Sequence, residues 1–167
     1  MAEEELLLIE KALTVGGGKW IADFTESFRN FKVKNQVFDL FVKGHTRAKG
    51  FFLSRIASYF VCPDYRVGCF IFRSKKEGYV NRTLLSEMLD AIRGYMRKNE
   101  LKWTWLMLLQ RGWPNPFKRF VEDMTSHDVG IILYDTNSGE LSYNSPLGKQ
   151  MAKRAFPKAL LKRGRSK

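Results

Sequence analysis

Alternating apolar and polar residues in the first quarter of the chain predict strands that are half-buried. Phe31 and Val33 alternate with lysines, and apolar side chains return at every second position from Phe38 to Val42. The preceding segment, residues 2–13, has leucine and isoleucine at helical spacing and ends at three consecutive glycines. We therefore predict a short helix followed by a strand meander.

Nearly continuous apolar runs dominate the rest of the chain, and such runs are typical of strands covered on both faces. They read RVGCFIF, KWTWLMLL and DVGIILYD. A helical stripe from Asn81 to Lys98 and a short helix opening at Asn115-Pro116 separate them, and TNSGE forms a hairpin turn after the third run. A last helix covers 147–155, whereas FFLSRIASYF suits either a strand or a short helix.

This element order predicts one α/β domain over residues 1–156, with a mixed central sheet and helices on both of its faces. Strands that alternate with helices form parallel pairs, and the first-half meander adds antiparallel ones. Residues 157–167 begin with a proline and are expected to form a basic C-terminal tail.

The net charge of +12 is concentrated near the C-terminus. Of the 29 Lys and Arg residues, eight lie from Leu147 onward, where there is no Asp or Glu, and the remaining 21 oppose 17 acidic residues. A polyanionic partner and a merely solubilising terminus both explain such a tail.

The sequence lacks the motifs of several functional classes. Cys62 and Cys69 do not form a zinc pair, and His45 and His127 are far apart, so we expect no disulfide, structural zinc or other cofactor. GGGKW follows a helix and lacks the Ser or Thr of a phosphate loop, and no GxGxxG or GxSxG is present.

No apolar run approaches the roughly 20 residues of a membrane span. The chain begins with an acidic segment rather than a basic leader. We expect a cytoplasmic protein without a membrane partner.

The region from residue 39 to 141 resembles the restriction-endonuclease-like fold, and within it the Mrr-type and related archaeal nuclease domains. The resemblance rests on element order and on the segments FDLFV, GCFIFR, WTWLMLL, RGWPNPF and VGIILYDTNSGEL. It implies an Asp on one strand, Asp39, and a Glu and a Lys two positions apart on the next.

The chain departs from that motif. With Arg73 in the place of the lysine, the place of the glutamate falls on Ile71, which cannot bind a cation. Asp39, joined by Glu10 from the first helix, would form an incomplete site, and Mg²⁺ or Mn²⁺ would be a cofactor only if the protein is an active nuclease.

Basic residues around strand ends and in the tail are the candidate nucleic-acid ligands. Trp113 is included as an exposed aromatic that could stack on bases, whereas Trp103 and Trp105 are expected in the core. The set comprises Arg47, Lys49, Arg73, Lys75, Lys76, Arg111, Trp113, Lys118, Arg119, Lys153, Arg154, Lys158, Lys162, Arg163 and Arg165.

The sequence favours a catalytically silent, nuclease-like domain that binds DNA or RNA non-specifically. Two alternatives stay open. One is a protein–protein module that forms a homodimer or joins an assembly through its aromatic surface, and the other is an active metal-dependent nuclease with displaced ligands.

Overall fold

The computed structural model describes residues 2–46 and 64–163. Arg47, Lys49, Arg165 and the ambiguous stretch 51–60 lie outside the described residues. For Lys162 and Arg163 the backbone alone is described.

The described chain contains the predicted helices and strands in the predicted order. It also has a 3-10 helix, two short strands and a helix after Pro157 that the sequence does not predict. The helices are α1 (Ala2–Thr14), α2 (Arg82–Asn99), α3 (Asn115–Glu122), α4 (Leu147–Arg154) and α5 (Lys158–Arg163), with a 3-10 helix at Gly17–Trp20. The strands are β1 (Asp23–Val33), β2 (Gln36–His45), β3 (Arg66–Arg73), β4 (Leu101–Gln110), β5 (Thr125–Ser126), β6 (Val129–Asp135), β7 (Leu141–Tyr143) and β8 (Ser145–Pro146).

Six strands form one mixed sheet in the order β1-β2-β3-β4-β6-β7. The pairs β3–β4 and β4–β6 are parallel, and the pairs β1–β2, β2–β3 and β6–β7 are antiparallel. Strands β5 and β8 form a separate small pair. The prediction of one α/β domain with a mixed central sheet flanked by helices is confirmed.

Alternate side chains of the central strands enter two separate cores. Cys69, Met107 and Ile132 pack on the face covered by α1 and α4. Phe70 and Leu106 pack on the face covered by α2 and α3. Because both faces are buried, these strands have the continuous apolar runs seen in the sequence.

The local signals of α2 are confirmed. The Asn81 side-chain oxygen accepts a hydrogen bond from the Leu84 amide at 2.9 Å, which caps the first turn. At the far end, Glu100 has a left-handed backbone and its amide bonds to the Met96 carbonyl.

Two local expectations differ from the structure. The polar stretch KGHTRAKG predicts a turn that contains His45, but His45 lies on β2, paired with Arg66 of β3. Strand β2 continues through these polar residues because its pairing with β3 continues as far as His45. The Asn115-Pro116 pair predicts an N-cap at Asn115, but helix α3 begins at Asn115 and its N-cap is Pro114.

Close packing persists beyond the expected start of the tail at Pro157. Leu160 on α5 is fully buried in the core on the α1 side. The Tyr134 hydroxyl donates a hydrogen bond to the Leu160 carbonyl at 3.0 Å, which ties α5 to β6. The described residues 157–161 therefore pack with the domain.

Among the described residues, no helix is both long enough and apolar enough to cross a bilayer.

Asn144 extends the sheet with its side chain where β7 ends. It is fully buried, its Oδ1 accepts from the Ile131 amide at 2.7 Å, and its Nδ2 donates to the Val129 carbonyl at 3.2 Å. The amide side chain thus satisfies two backbone groups of β6 that face no strand residue there.

We predict that Asn144→Ala lowers the free energy of unfolding by at least about 2 kcal/mol, since it leaves a buried amide and a buried carbonyl unsatisfied. Urea denaturation measures the change. Asn137→Ala, at an exposed turn position, is the matched control and should be nearly neutral. Equal effects of the two substitutions would contradict this role for Asn144.

Candidate nucleic-acid interface

The parallel strands β3, β4 and β6 end at one edge of the sheet, which we call the carboxyl edge. Ligands of open α/β sheets gather at this edge. The ladder continues briefly past the strands, since the Ser74 amide bonds to the Leu109 carbonyl and the Thr136 amide bonds to the Gln110 carbonyl. The segments that follow β3 and β4 carry the candidate cations.

Gln110 connects those two segments. Its side chain is fully buried, its Oε1 accepts from the Val80 amide at 2.9 Å, and its Nε2 donates to the Gly112 carbonyl at 3.0 Å. One side chain thereby positions the loop before α2 and the loop before α3.

Asp135 secures the same region from β6. Its Oδ1 accepts hydrogen bonds from the amides of Gly112 at 3.1 Å and Asn137 at 2.8 Å. Burial alone would raise the pKa of Asp135, but hydrogen bonds from Asn137, Gly112 and Ser138 outweigh burial and hold that pKa below its ordinary value. The carboxylate is therefore a fixed anion that orders the loop.

The prediction that Trp113 is exposed is wrong. Its ring is 8% exposed and stacks on Phe117 at 5.4 Å, and its Nε1 donates to the Tyr134 carbonyl at 3.0 Å. The ring closes the core beneath α3, so it is not available to stack on a base. Trp105 is buried as expected, and Trp103 is half-buried.

Four of the predicted cations are exposed at or near the carboxyl edge: Lys75, Lys76, Arg111 and Arg119. Lys118 is half-buried and its Nζ lies 3.3 Å from a Glu140 carboxylate oxygen, so its charge is locally balanced. Arg73 is half-buried, and its Nε has no hydrogen-bond partner among the described residues.

Arg82 is a cation that sequence reasoning missed. At the start of α2, its guanidinium lies 4.3 Å from the centre of the Phe120 ring on α3. Arg82, Phe120 and Arg119 line an open groove of about 460 Å³ together with Asp123. The only sequence signal for Arg82 was its place beside the N-cap Asn81.

The described cations of the last helices are exposed on the other layer of the domain. Lys153 and Arg154 are on α4 and Lys158 begins α5. The Tyr134–Leu160 hydrogen bond brings α5 to the end of β6. These residues therefore form a second basic group on the α1 side, separate from the residues around α2 and α3.

The structure gives Asp39 and Glu10 different partners. The Asp39 Oδ2 accepts from the Arg73 amide at 2.8 Å, which continues the β2–β3 ladder. Glu10 accepts from Ser27 and forms an ion pair with Arg29 on β1. Ile71, at the expected glutamate position, is fully buried in the core under α1.

Within residues 2–46 and 64–163, no three His, Cys, Asp or Glu side chains are grouped so that they could hold a metal ion. The half-buried Asp39 is therefore better explained, on this geometry, as a hydrogen-bond acceptor for the β3 backbone.

The lowered pKa of Asp135 predicts a pH dependence. Its stabilising effect is complete above the ordinary carboxyl pKa of about 3.9 and is lost as the pH falls through the lowered value. Asp135→Asn keeps an oxygen acceptor but does not titrate. Urea unfolding between about pH 6 and pH 3 should therefore show a smaller loss of stability for Asp135→Asn than for the unmodified protein.

Asp123→Asn removes an exposed carboxylate near α3 and serves as the control; it should change the slope less than Asp135→Asn does. A slope for Asp135→Asn equal to that of the unmodified protein would refute the proposed loop-ordering role.

Comparison of the chain with protein-family models, curated proteins and solved structures finds no match. The resemblance to restriction-endonuclease-like domains stays a hypothesis that rests on the residues themselves.

Proposed function

We propose that this protein is a nuclease-like domain without a working catalytic pair, and that it binds nucleic acid non-specifically at the carboxyl edge. The observation that carries the proposal is the collection of exposed cations there from separate segments. Arg82 and Arg119 share one groove, Lys75 and Lys76 leave β3, and Arg111 leaves β4.

The charges in this region are available to a ligand. No ion pair involves any of these five cations within the described residues, whereas Lys118 has Glu140. Three nearby carboxylates, those of Glu77, Asp123 and Asp135, oppose these five cations, so the region keeps a positive net charge. The helices α2 and α3 both begin at this edge, and the positive ends of their dipoles favour anions.

The chemistry supports contact with the phosphate backbone rather than with base edges. Exposed Lys and Arg side chains neutralise phosphates and release counterions, and such contacts carry no sequence information. Because Trp113 is buried, it cannot make the contribution to base stacking that the sequence predicts for it. We infer binding that tolerates many sequences and weakens strongly with salt.

We expect Arg111→Gln with Arg119→Gln to weaken binding to double-stranded DNA at low salt. The slope of log K against log salt should become shallower by about 0.9 for each phosphate that the variant no longer neutralises. Fluorescence anisotropy with labelled duplex DNA, single-stranded DNA and RNA at several salt concentrations measures both effects.

The control is Lys11→Gln with Lys19→Gln, which removes the same net charge at exposed positions away from the carboxyl edge. Equal weakening by both pairs would mean that net charge alone drives binding. Absence of binding at low salt would sink the proposal.

The basic C-terminal helices are tested by substitution rather than by truncation. Cutting after Phe156 would remove the buried Leu160 and damage the core. The double variant Lys153→Gln with Lys158→Gln changes two exposed positions. Its affinity in the same assay shows how much the basic group on α4 and α5 contributes to binding.

We expect no cleavage of any of these nucleic acids with Mg²⁺ or Mn²⁺, because Asp39 has no second carboxylate at position 71 to share a cation. Gel electrophoresis after incubation with each metal provides the readout. Cleavage that is abolished by Asp39→Asn, which keeps the hydrogen-bond acceptor for Arg73, would instead establish an active nuclease.

A second candidate function is self-association through β1. This strand pairs with β2 on one side, and no described strand pairs with its other side. Phe28 of β1 is 39% exposed, and its ring stacks on that of Phe41 with 6.0 Å between the ring centres. Exposed strand edges favour pairing with another chain.

Irregularities in β1 weigh against that alternative. The register shifts between Phe24 and Glu26, and Asn30 has a φ of 50°. Both distort a strand edge in the manner that prevents pairing. Light scattering measures the mass in solution. If that mass rises with protein concentration and there is no salt-sensitive DNA binding, self-association becomes the favoured function.

A further inference from the structure

A third basic region, separate from the carboxyl edge and from the basic group on α4 and α5, is a groove between the turn of the β1–β2 hairpin and the last two turns of α2. It has a volume of about 460 Å³ and is lined chiefly by Lys32, Lys34, Gly94, Tyr95, Lys98 and Asn99. No sequence motif marks this groove, because Lys98 lies more than sixty residues from Lys32 and Lys34 in the sequence.

Three lysines line this groove, and no carboxylate does. Within the described residues, Lys32, Lys34 and Lys98 have no ion-pair partner. The carboxylate that acts electrostatically on Tyr95 is Glu26, and Glu26 is itself paired with Lys43 at 3.4 Å. The groove is therefore a concave surface of one charge sign, which attracts anions.

Lys34 is held in an unfavourable conformation. Its φ is 52°, in the left-handed region where glycine or asparagine is the usual turn residue. A side chain in this region costs stability, and such costs concentrate at functional positions. The backbone nevertheless holds a lysine at the rim of the groove.

Gly94 is the second locally unfavourable residue. It lies inside α2, where glycine lowers helix stability relative to alanine. A Cβ at Gly94 would be 3.3 Å from both Cε and Nζ of Lys34. The missing side chain thus leaves room for the lysine ammonium group beside the helix.

Capping of α2 does not explain the lysines. The Asn99 Nδ2 donates to the Tyr95 carbonyl at 2.9 Å, and the Glu100 amide bonds to the Met96 carbonyl. Two carbonyls of the last turn are therefore satisfied without a lysine, although the cations also suit the negative end of the helix dipole.

Tyr95 adds a neutral donor. Phe31 and Phe41 hold its ring edge-on, each at 5.4 Å. Burial, and then the charge of Glu26, raise the pKa of Tyr95, so its hydroxyl stays protonated at neutral pH.

We propose that this groove is a phosphate-binding site, in which Lys34 is the central ligand between Lys32 and Lys98. The ligand class is a compound that carries a phosphate or pyrophosphate group, either a free nucleotide or a nucleotide of a nucleic acid chain. The site is separate from the carboxyl edge, so failure of this proposal would not contradict the proposed function.

The test is a titration of the full chain with sodium pyrophosphate and with adenosine monophosphate, followed by ¹⁵N-resolved NMR. The amide signals of Lys34, Gly94 and Tyr95 should shift. Lys34→Gly should weaken binding about tenfold, since it removes one charge-assisted hydrogen bond. Because glycine accepts a positive φ, Lys34→Gly should not lower the melting temperature.

Two further variants make the result specific. Lys98→Gln removes a cation from the opposite wall and should also weaken binding. Asn30→Gly relieves the backbone at another residue with positive φ, 50°, without a change of charge, and should leave the affinity unchanged. Arg111→Gln with Arg119→Gln should have no effect, which separates this site from the carboxyl edge.

An oligonucleotide without terminal phosphates distinguishes the source of the phosphate. Competition with pyrophosphate would place a nucleic acid chain in the groove, and absence of competition would indicate a free nucleotide. No shifts at millimolar pyrophosphate, or shifts that persist unchanged in Lys34→Gly, would overturn the proposal.

Discussion

The burial of β3, β4 and β6 on both faces is the constraint on which the rest of this structure depends. Helices α1 and α4 cover one face and α2 and α3 cover the other, so nearly every side chain of these strands is apolar. A charge in the middle of such a strand would be desolvated without compensation. Polar chemistry is therefore displaced to the strand ends and to the sheet margins.

The polar residues at those ends largely serve the backbone. Gln110 connects two loops, Asp135 orders one of them, and Asp39 accepts the Arg73 amide beside the last residues of β3. The resemblance to nucleases implies that Asp39 is a metal ligand. In this chain the Asp39 carboxylate instead accepts a backbone hydrogen bond and so extends the sheet. Three of the exposed cations, Lys75, Lys76 and Arg111, lie on loops that these hydrogen bonds hold in place.

Two of the three basic regions, the carboxyl edge and the groove beside the β1–β2 hairpin, are related through α2. Arg82 begins this helix at the carboxyl edge, and Lys98 lies near its other end. Eighteen helical residues span about 27 Å, so the regions are separate surfaces. They also differ in arrangement. The cations of the carboxyl edge are spaced apart, whereas three lysines and Gly94 line the single groove beside the β1–β2 hairpin.

Local patterns in the sequence were sufficient for most of the described elements and for the coarse fold class, an α/β domain with a mixed sheet. Continuous apolar runs marked the three parallel strands, because burial on both faces requires apolar residues at successive positions. Asn81 marked the start of α2, because helix capping depends on neighbours in sequence. What only the tertiary structure decided was which distant residues meet. The burial of Trp113 against Tyr134, the packing of Leu160 beyond Pro157, and the approach of Lys34 to Gly94 are such contacts. They depend on how the layers pack, and periodicity along a chain carries no information about that packing.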